Sequence, residues 1–220
     1  MDNGFTTMTS SEQWWLLVEA TKTALESAGY DMERIPGRGR SNMWEVTLDR
    51  ETKRLAIRTS KDRWIAFPPL KSGSKWKTLD DVELVAVSTI DDWKDEPEIE
   101  VYLLEASVVR SHFDAAYTAR IDDGQTVTDN FGMWVGLDAD DRGIPASVGS
   151  GITENLTPIA TYSFRDLVDP DANSNQAESN AKGMDGLTTI AEVLDRARDI
   201  IATMSGVPVD AVKLDCKIGH

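Results

Sequence analysis

Cysteine and histidine are scarce in this 220-residue chain, and their scarcity excludes several kinds of site. The single cysteine, Cys216, allows no internal disulfide and no cysteine-based zinc site. The two histidines, His112 and His220, are too few for an imidazole cluster, so we expect no metal ligands. No apolar run approaches the roughly 20 residues of a membrane-spanning helix. We therefore expect no membrane contact and a cytoplasmic location.

Basic residues are also in deficit, because 23 Lys+Arg stand against 38 Asp+Glu for a formal net charge of −15. Such a chain is repelled, as a whole, by nucleic acid and by anionic membrane surfaces. The average conceals a segregation of charge. Positions 34–77 hold twelve bases and four acids, whereas positions 80–100 hold nine acids and one base. Either the basic block forms a face for a polyanion, or it pairs with the acidic block in the folded state.

Aromatic residues are absent after Phe164, and this absence divides the chain. We predict a domain over 9–164. Residues 165–186 are rich in Asn, Asp, Ser and Gly, which is typical of a flexible linker. Residues 187–218 read as one helix and one strand, too few to enclose a core. This docking strand is predicted to add to an edge of the main sheet or of another chain, which leaves a protein partner or a homodimer open.

The spacing of apolar residues within the domain predicts an α+β (α/β/α-like) fold. Thr9 and Glu12 have the spacing of a capping box and precede an apolar stripe, so a helix is expected to begin there. A mixed sheet flanked by helices should follow. The predicted strands are a three-strand meander at 44–48, 55–59 and 64–67 with a turn at 49–52, then 84–88 and 99–104, a helix at 107–121, and strands at about 126–137 and 158–164.

The meander region carries a motif-like arrangement of residues. It reads Trp44-Glu45-Val46, a turn, Leu55-Ala56-Ile57-Arg58-Thr59-Ser60, and then Trp64-Ile65-Ala66-Phe67, with a helix before it. This arrangement resembles the core hairpin of the PD-(D/E)xK, restriction-endonuclease-like superfamily, over roughly residues 10–120. The stretch 57–68 also resembles bacterial proteins, but that likeness brings no activity with it. The first resemblance implies a nuclease-like fold in which two carboxylates hold Mg²⁺ and a lysine positions or activates water.

The implied active site is degenerate in this chain. Glu45 stands at the first acidic position, Ala56 stands where the second acid belongs, and Arg58 replaces the lysine. Arginine keeps its proton, so Arg58 can bind phosphate but is a poor general base. Glu19 or Glu26 on the first helix could supply a relocated ligand. The expected cofactor is therefore none, with Mg²⁺ required only if the chain is an enzyme.

Three functions remain open at this point. The first is a catalytically inactive nuclease-like domain that binds nucleic acid or a nucleoprotein partner through its basic meander. The second is an acidic protein–protein interaction or inhibitor protein without nucleic-acid contact, and the third is a Mg²⁺-dependent nuclease with relocated ligands. The candidate catalytic residue is Glu45. The candidate nucleic-acid-binding residues are Arg38, Arg40, Arg54, Arg58, Lys61 and Arg63.

Overall fold

A computed structural model describes residue 5 and residues 7–36, 42–90 and 97–168. These residues form a mixed α+β structure with a six-stranded sheet, two two-stranded sheets and two long helices. In chain order the elements are α1 (Ser10–Ser27), β1 (Asp31–Arg34), β2 (Met43–Leu48), β3 (Glu51–Ser60), β4 (Trp64–Ala66), β5 (Pro69–Leu70), β6 (Lys75–Trp76), a 3-10 turn (Leu79–Asp81), β7 (Leu84–Ile90), β8 (Glu98–Glu105), α2 (Ala106–Asp122), β9 (Trp134–Gly136), β10 (Ala160–Ser163) and α3 (Phe164–Val168).

The first helix begins and ends as its sequence predicts. The Thr9 hydroxyl accepts the backbone N–H of Glu12, and the Glu12 carboxylate accepts the backbone N–H of Thr9, which completes a capping box. After the helix Gly29 has a φ of 91°, a conformation that costs glycine little. None of the described helices combines the length and the apolar character needed to cross a bilayer.

The main sheet has the strand order β1-β2-β3-β7-β8-β10, and of these described pairs β3 and β7 alone run parallel. Helix α1 packs on one face of the sheet, where it contacts the cluster of Leu55 and Ile57. Helix α2 packs on the other face, in the cluster of Val85 and Val87. All seven residues of β7 are buried, because the strand is central and both of its faces are covered. The predicted mixed sheet flanked by helices is thus confirmed.

The predicted hairpin is confirmed as β2 and β3, which pair antiparallel from Met43–Ala56 to Leu48–Glu51. Its turn is shorter than the predicted 49–52. Asp49 and Arg50 both have positive φ, 50° and 71°, so two residues suffice to close it.

The prediction that 64–67 is the third strand of the meander is wrong in its pairing, because β4 leaves the main sheet and pairs with β9. The Ser60 hydroxyl binds both the N–H and the carbonyl of Trp64 at 2.8 Å, and Arg63 has a φ of 62°. This tight turn folds the chain back from β3, whose free edge is occupied by β7 instead. The meander is completed on the other side by β1, which was not predicted as a strand.

Later elements agree with the sequence in part. The strands predicted at 84–88 and 99–104 are β7 and β8, and the helix predicted at 107–121 is α2. Within 126–137, however, strand is confined to β9, and the strand predicted at 158–164 shortens to β10. The linker predicted from residue 165 starts in helix α3, and its remainder and the module predicted at 187–218 lie outside the described residues.

Candidate functional site

The residues at the nuclease-like motif positions share one face of the sheet. Glu45 lies opposite Arg54, and Ala56 follows on the same face of β3 with Arg58 next along it. The assignment to a face rests on alternation, since Leu55 packs on the α1 side whereas Ala56 belongs to the cluster on the α2 side. The fold therefore brings positions 45, 56 and 58 together, as the resemblance implies.

The second acidic position is closed to water. Ala56 has no exposed surface and lies between its cross-strand neighbours Met43 and Val85 in the apolar cluster under α2. The carboxylate beside Glu45 is instead that of Glu33 on β1, and both side chains are exposed. The described part of the chain contains no group of three or more Asp, Glu, His or Cys placed to hold a metal ion.

The helix glutamates do not complete the motif. Glu19 and Glu26 are exposed on α1, which covers the face of the sheet opposite to Glu45. Glu19 forms an ion pair with Lys22 at 2.9 Å. Because the sheet separates these carboxylates from Glu45, the relocated ligands proposed from the sequence are wrong for these two residues.

The six candidate nucleic-acid-binding residues are not gathered on one surface. Arg38 and Arg40 lie outside the described residues. Arg54 is exposed near the start of β3, and Lys61 follows the end of that strand. At about 3.4 Å per residue, the strand separates them by roughly 20 Å. Neither side chain has a carboxylate partner among the described residues.

Arg58 is used in packing. Its guanidinium stands 4.3 Å from the centre of the Phe67 ring, and Nη1 donates to the Ile57 carbonyl at 3.1 Å. Burial lowers the pKa of Arg58 to about 10, so the side chain stays protonated at neutral pH. No carboxylate within the described residues forms an ion pair with it, so this positive charge is uncompensated.

Arg63 is held by two carboxylates. Its Nε and Nη2 donate to Asp138 at 2.6 and 2.9 Å, and its Nη1 donates to Glu100 at 2.7 Å. Desolvation by itself lowers the pKa of Arg63, but the hydrogen bonds to Asp138 and Glu100 outweigh it and raise the pKa. The Tyr102 hydroxyl also donates to Glu100, at 3.0 Å. The assignment of Arg63 to nucleic acid remains a prediction, and these partners oppose it.

Pairing between the two charge blocks is real but limited. Glu100 and Asp81 belong to the acidic block and bind Arg63 and Lys75 of the basic block, Lys75 at 3.1 Å. Asp138, in contrast, comes from a loop 75 residues after Arg63, and no spacing in the sequence indicates that contact.

A cavity of about 380 Å³ opens beyond the end of β3. It is lined by Ser10, Trp14, Leu17, Thr59, Ser60, Lys61, Asp62, Trp64 and Trp134. Lys61 Nζ donates to Gln13 Oε1 at 3.1 Å, and Gln13 is in turn anchored to the Phe5 carbonyl at 2.7 Å. Asp62 Oδ1 accepts the Ser60 hydroxyl at 3.2 Å. The cavity thus combines three tryptophans with one ammonium and one carboxylate group.

Sequence reasoning nominated Lys61 but missed the three tryptophans around it. One local signal was available for two of them. Ile65 and Val135 are paired and fully buried, so the alternate residues Trp64 and Trp134 must point outward from the β4–β9 ribbon. The approach of Trp14 from α1 is a tertiary contact, which no local pattern indicates.

Comparisons of the chain with protein-family models, with curated proteins and with solved structures found no match.

Proposed function

We propose that this chain is a catalytically inactive nuclease-like protein that binds nucleic acid through basic residues on and beyond β3. The observation that supports this function lies on strand β3. Ala56, at the position that needs an acid, is sealed in the apolar core, while the side chains of Arg54 and Lys61 form no ion pair with a carboxylate among the described residues. This part of the chain therefore lacks the second carboxylate that metal-dependent cleavage requires, but it carries basic side chains that can bind phosphate.

The restriction-endonuclease-like assignment belongs to this proposal. It is supported by the order of elements, in which α1 precedes the β2–β3 hairpin and β7, β8 and α2 follow. It is supported also by the common face of Glu45, Ala56 and Arg58. The departure of β4 from the sheet is the feature that fits it least well.

The net charge of −15 limits the binding to a local contact. Screening over about 8–10 Å at moderate salt separates a small basic site from distant acids. Each phosphate that a base neutralises contributes a slope of about −0.9 to log K against log salt for duplex DNA. Two contacts, from Arg54 and Lys61, would thus give a slope of roughly −2.

The test is binding of fluorescent duplex and single-stranded oligonucleotides to the full chain, measured by anisotropy from low to moderate salt. Arg54→Gln should reduce the salt slope for duplex by about 1. Lys77→Gln, which removes an exposed base from the same block, is the matched control and should change nothing. We expect no Mg²⁺-dependent cleavage of either oligonucleotide.

Two results would contradict this function. Robust cleavage with Mg²⁺ that Glu45→Ala abolishes would establish the nuclease alternative. Duplex binding that is absent at low salt, or insensitive to salt, would favour the acidic interaction protein. The latter has an observation of its own, because four large apolar side chains are exposed within a short stretch of loop. They are Ile144, Val148, Leu156 and Ile159, each with 39–46% of its surface exposed.

A further inference from the structure

We propose that the cavity beyond β3, defined by the nine lining residues given above, holds an unpaired base of a single-stranded nucleic acid. This inference deepens the proposed function and rests on it. The cavity volume of about 380 Å³ lies within the 300–1,000 Å³ that is usual for small-ligand sites. It therefore has room for one nucleotide, and a base within a duplex could enter only by leaving its stack and its partner base.

The tryptophans supply surfaces for stacking. Trp64 and Trp134 lie on the outward face of the β4–β9 ribbon, where Trp64 pairs with Gly136 and Trp134 with Ala66. Trp134 leaves 51% of its surface exposed, so its ring is accessible to a ligand. Bases stack on such rings with little regard to sequence.

The opposite wall comes from the start of α1. Trp14 lines the cavity and is held edge-to-face by Trp15, with ring centres 4.6 Å apart. Trp14 also packs against the core cluster on that face of the sheet, so its position is fixed before a ligand arrives. A base entering the cavity would meet an aromatic wall that is already in place.

The polar groups select the kind of aromatic ligand. Lys61 Nζ uses one donor on Gln13, and its other two donors, which bind no other described residue, can reach a phosphate oxygen. Asp62 Oδ1 is engaged by Ser60, and Oδ2 has no hydrogen bond within the described residues, so it can accept an N–H from a base edge. Lys61 and Asp62 give the cavity one positive and one negative group, so it favours a ring that presents an anion to Lys61 and an N–H donor to Asp62. A nucleotide meets both requirements.

The experiment compares four ligands on the full chain: an oligothymidylate of about 20 residues, its duplex with oligoadenylate of the same length, dTMP and thymidine. Trp134→Ala should weaken the oligothymidylate about tenfold, since one base–aromatic stack lost to alanine costs on the order of tenfold or more in affinity. Trp134→Phe should be intermediate. Phe131→Ala, which removes an exposed aromatic residue outside the cavity from the same segment, is the control and should bind normally.

The Lys61→Gln variant distinguishes recognition of the phosphate from recognition of the base. Lys61→Gln should weaken dTMP several-fold and leave thymidine unchanged. The base site would be overturned if Trp134→Ala and Lys61→Gln each bound oligothymidylate and dTMP with the same affinity as the unsubstituted chain. Duplex binding that still depends on Arg54 would then leave the proposed function standing. Binding of dTMP alone would support the cavity and contradict the wider nucleic-acid function, and binding of no ligand would overturn both.

Discussion

An acid placed at position 56, where the proposed nuclease-like site would need one, should destabilise the protein rather than activate it. Ala56 is fully buried between Met43 and Val85, so the carboxylate of Ala56→Asp would lose its water. Burial raises a carboxyl pKa by up to about 3–5 units. Arg58 lies two residues along the same face and would offset part of this, so we take about 3 units. At about 1.4 kcal/mol per unit, the free energy of unfolding falls by about 4 kcal/mol at pH 7.

The pH dependence identifies charge as the cause. The folded-state pKa of the introduced carboxyl group would be raised above its unfolded value of about 3.9, so the penalty is absent below about pH 4 and grows until about pH 7. Ala56→Asn has the same size and no charge, and its penalty should not change with pH. Urea unfolding followed by tryptophan fluorescence should therefore show a gap between the two variants that is near zero at pH 4 and about 4 kcal/mol at pH 7.

A gap below about 1 kcal/mol at pH 7 would refute the reasoning, because no buried carboxylate costs so little without a partner. If Mg²⁺ also raised the urea midpoint of Ala56→Asp, position 56 would face an open cleft. The introduced carboxylate could then hold a metal ion together with Glu45.

Two further predictions test ion pairing and packing elsewhere in the described structure. Arg63→Gln removes the guanidinium that binds Asp138 and half-buried Glu100. We expect urea unfolding to show that the free energy of unfolding falls by about 1–3 kcal/mol and that this loss shrinks at high salt. A loss that is independent of salt would contradict the ion-pair explanation. Gly149→Ala places a Cβ against the His112 carbonyl at a φ of 86°, whereas the Cβ of Gly143→Ala, at a φ of 68°, meets open space. Thermal unfolding should therefore show a stability loss of about 1 kcal/mol for Gly143→Ala and at least about 2 kcal/mol more for Gly149→Ala. Equal losses would exclude the predicted steric contact.

Local signals predicted the elements that depend on their own residues. The capping box at Thr9 and the apolar run of β7 gave correct positions for α1 and for the central strand. β1 could not be found in this way, since Asp31–Arg34 carries three charged residues and only Met32 packs on the core. It is a strand because β2 offers an edge to pair with, which is a tertiary cause.

The error at β4 has a similar origin. The apolar character of 64–67 predicts a strand correctly but does not say which strand it pairs with. That choice is made by the turn at Ser60 and Arg63, and by the competition of β7 for the edge of β3. The same turn directs Trp64 toward Trp14 and so forms the cavity. The cavity was therefore not predicted because the sequence indicates which residues form strands but not which strands pair.

A high density of basic residues in the sequence also does not predict a continuous basic surface in the folded protein. Of the twelve bases in positions 34–77, three of those described are bound by carboxylates: Lys53 by Glu51, Arg63 by Glu100 and Asp138, and Lys75 by Asp81. Arg58 packs against an aromatic ring, and β3 keeps Arg54 and Lys61 apart. A block that looks like a polyanion-binding face becomes a few separate cations.

This dispersal decides what kind of nucleic-acid contact is reasonable. A continuous basic groove would follow many phosphates and give a steep dependence on salt. Isolated cations cannot do so, and a net charge of −15 opposes any extended approach of a duplex. Stacking is the interaction that can compensate, because it depends weakly on salt and needs one accessible ring. The exposed Trp134 beside Lys61 is therefore a better basis for binding than the basic block as a whole.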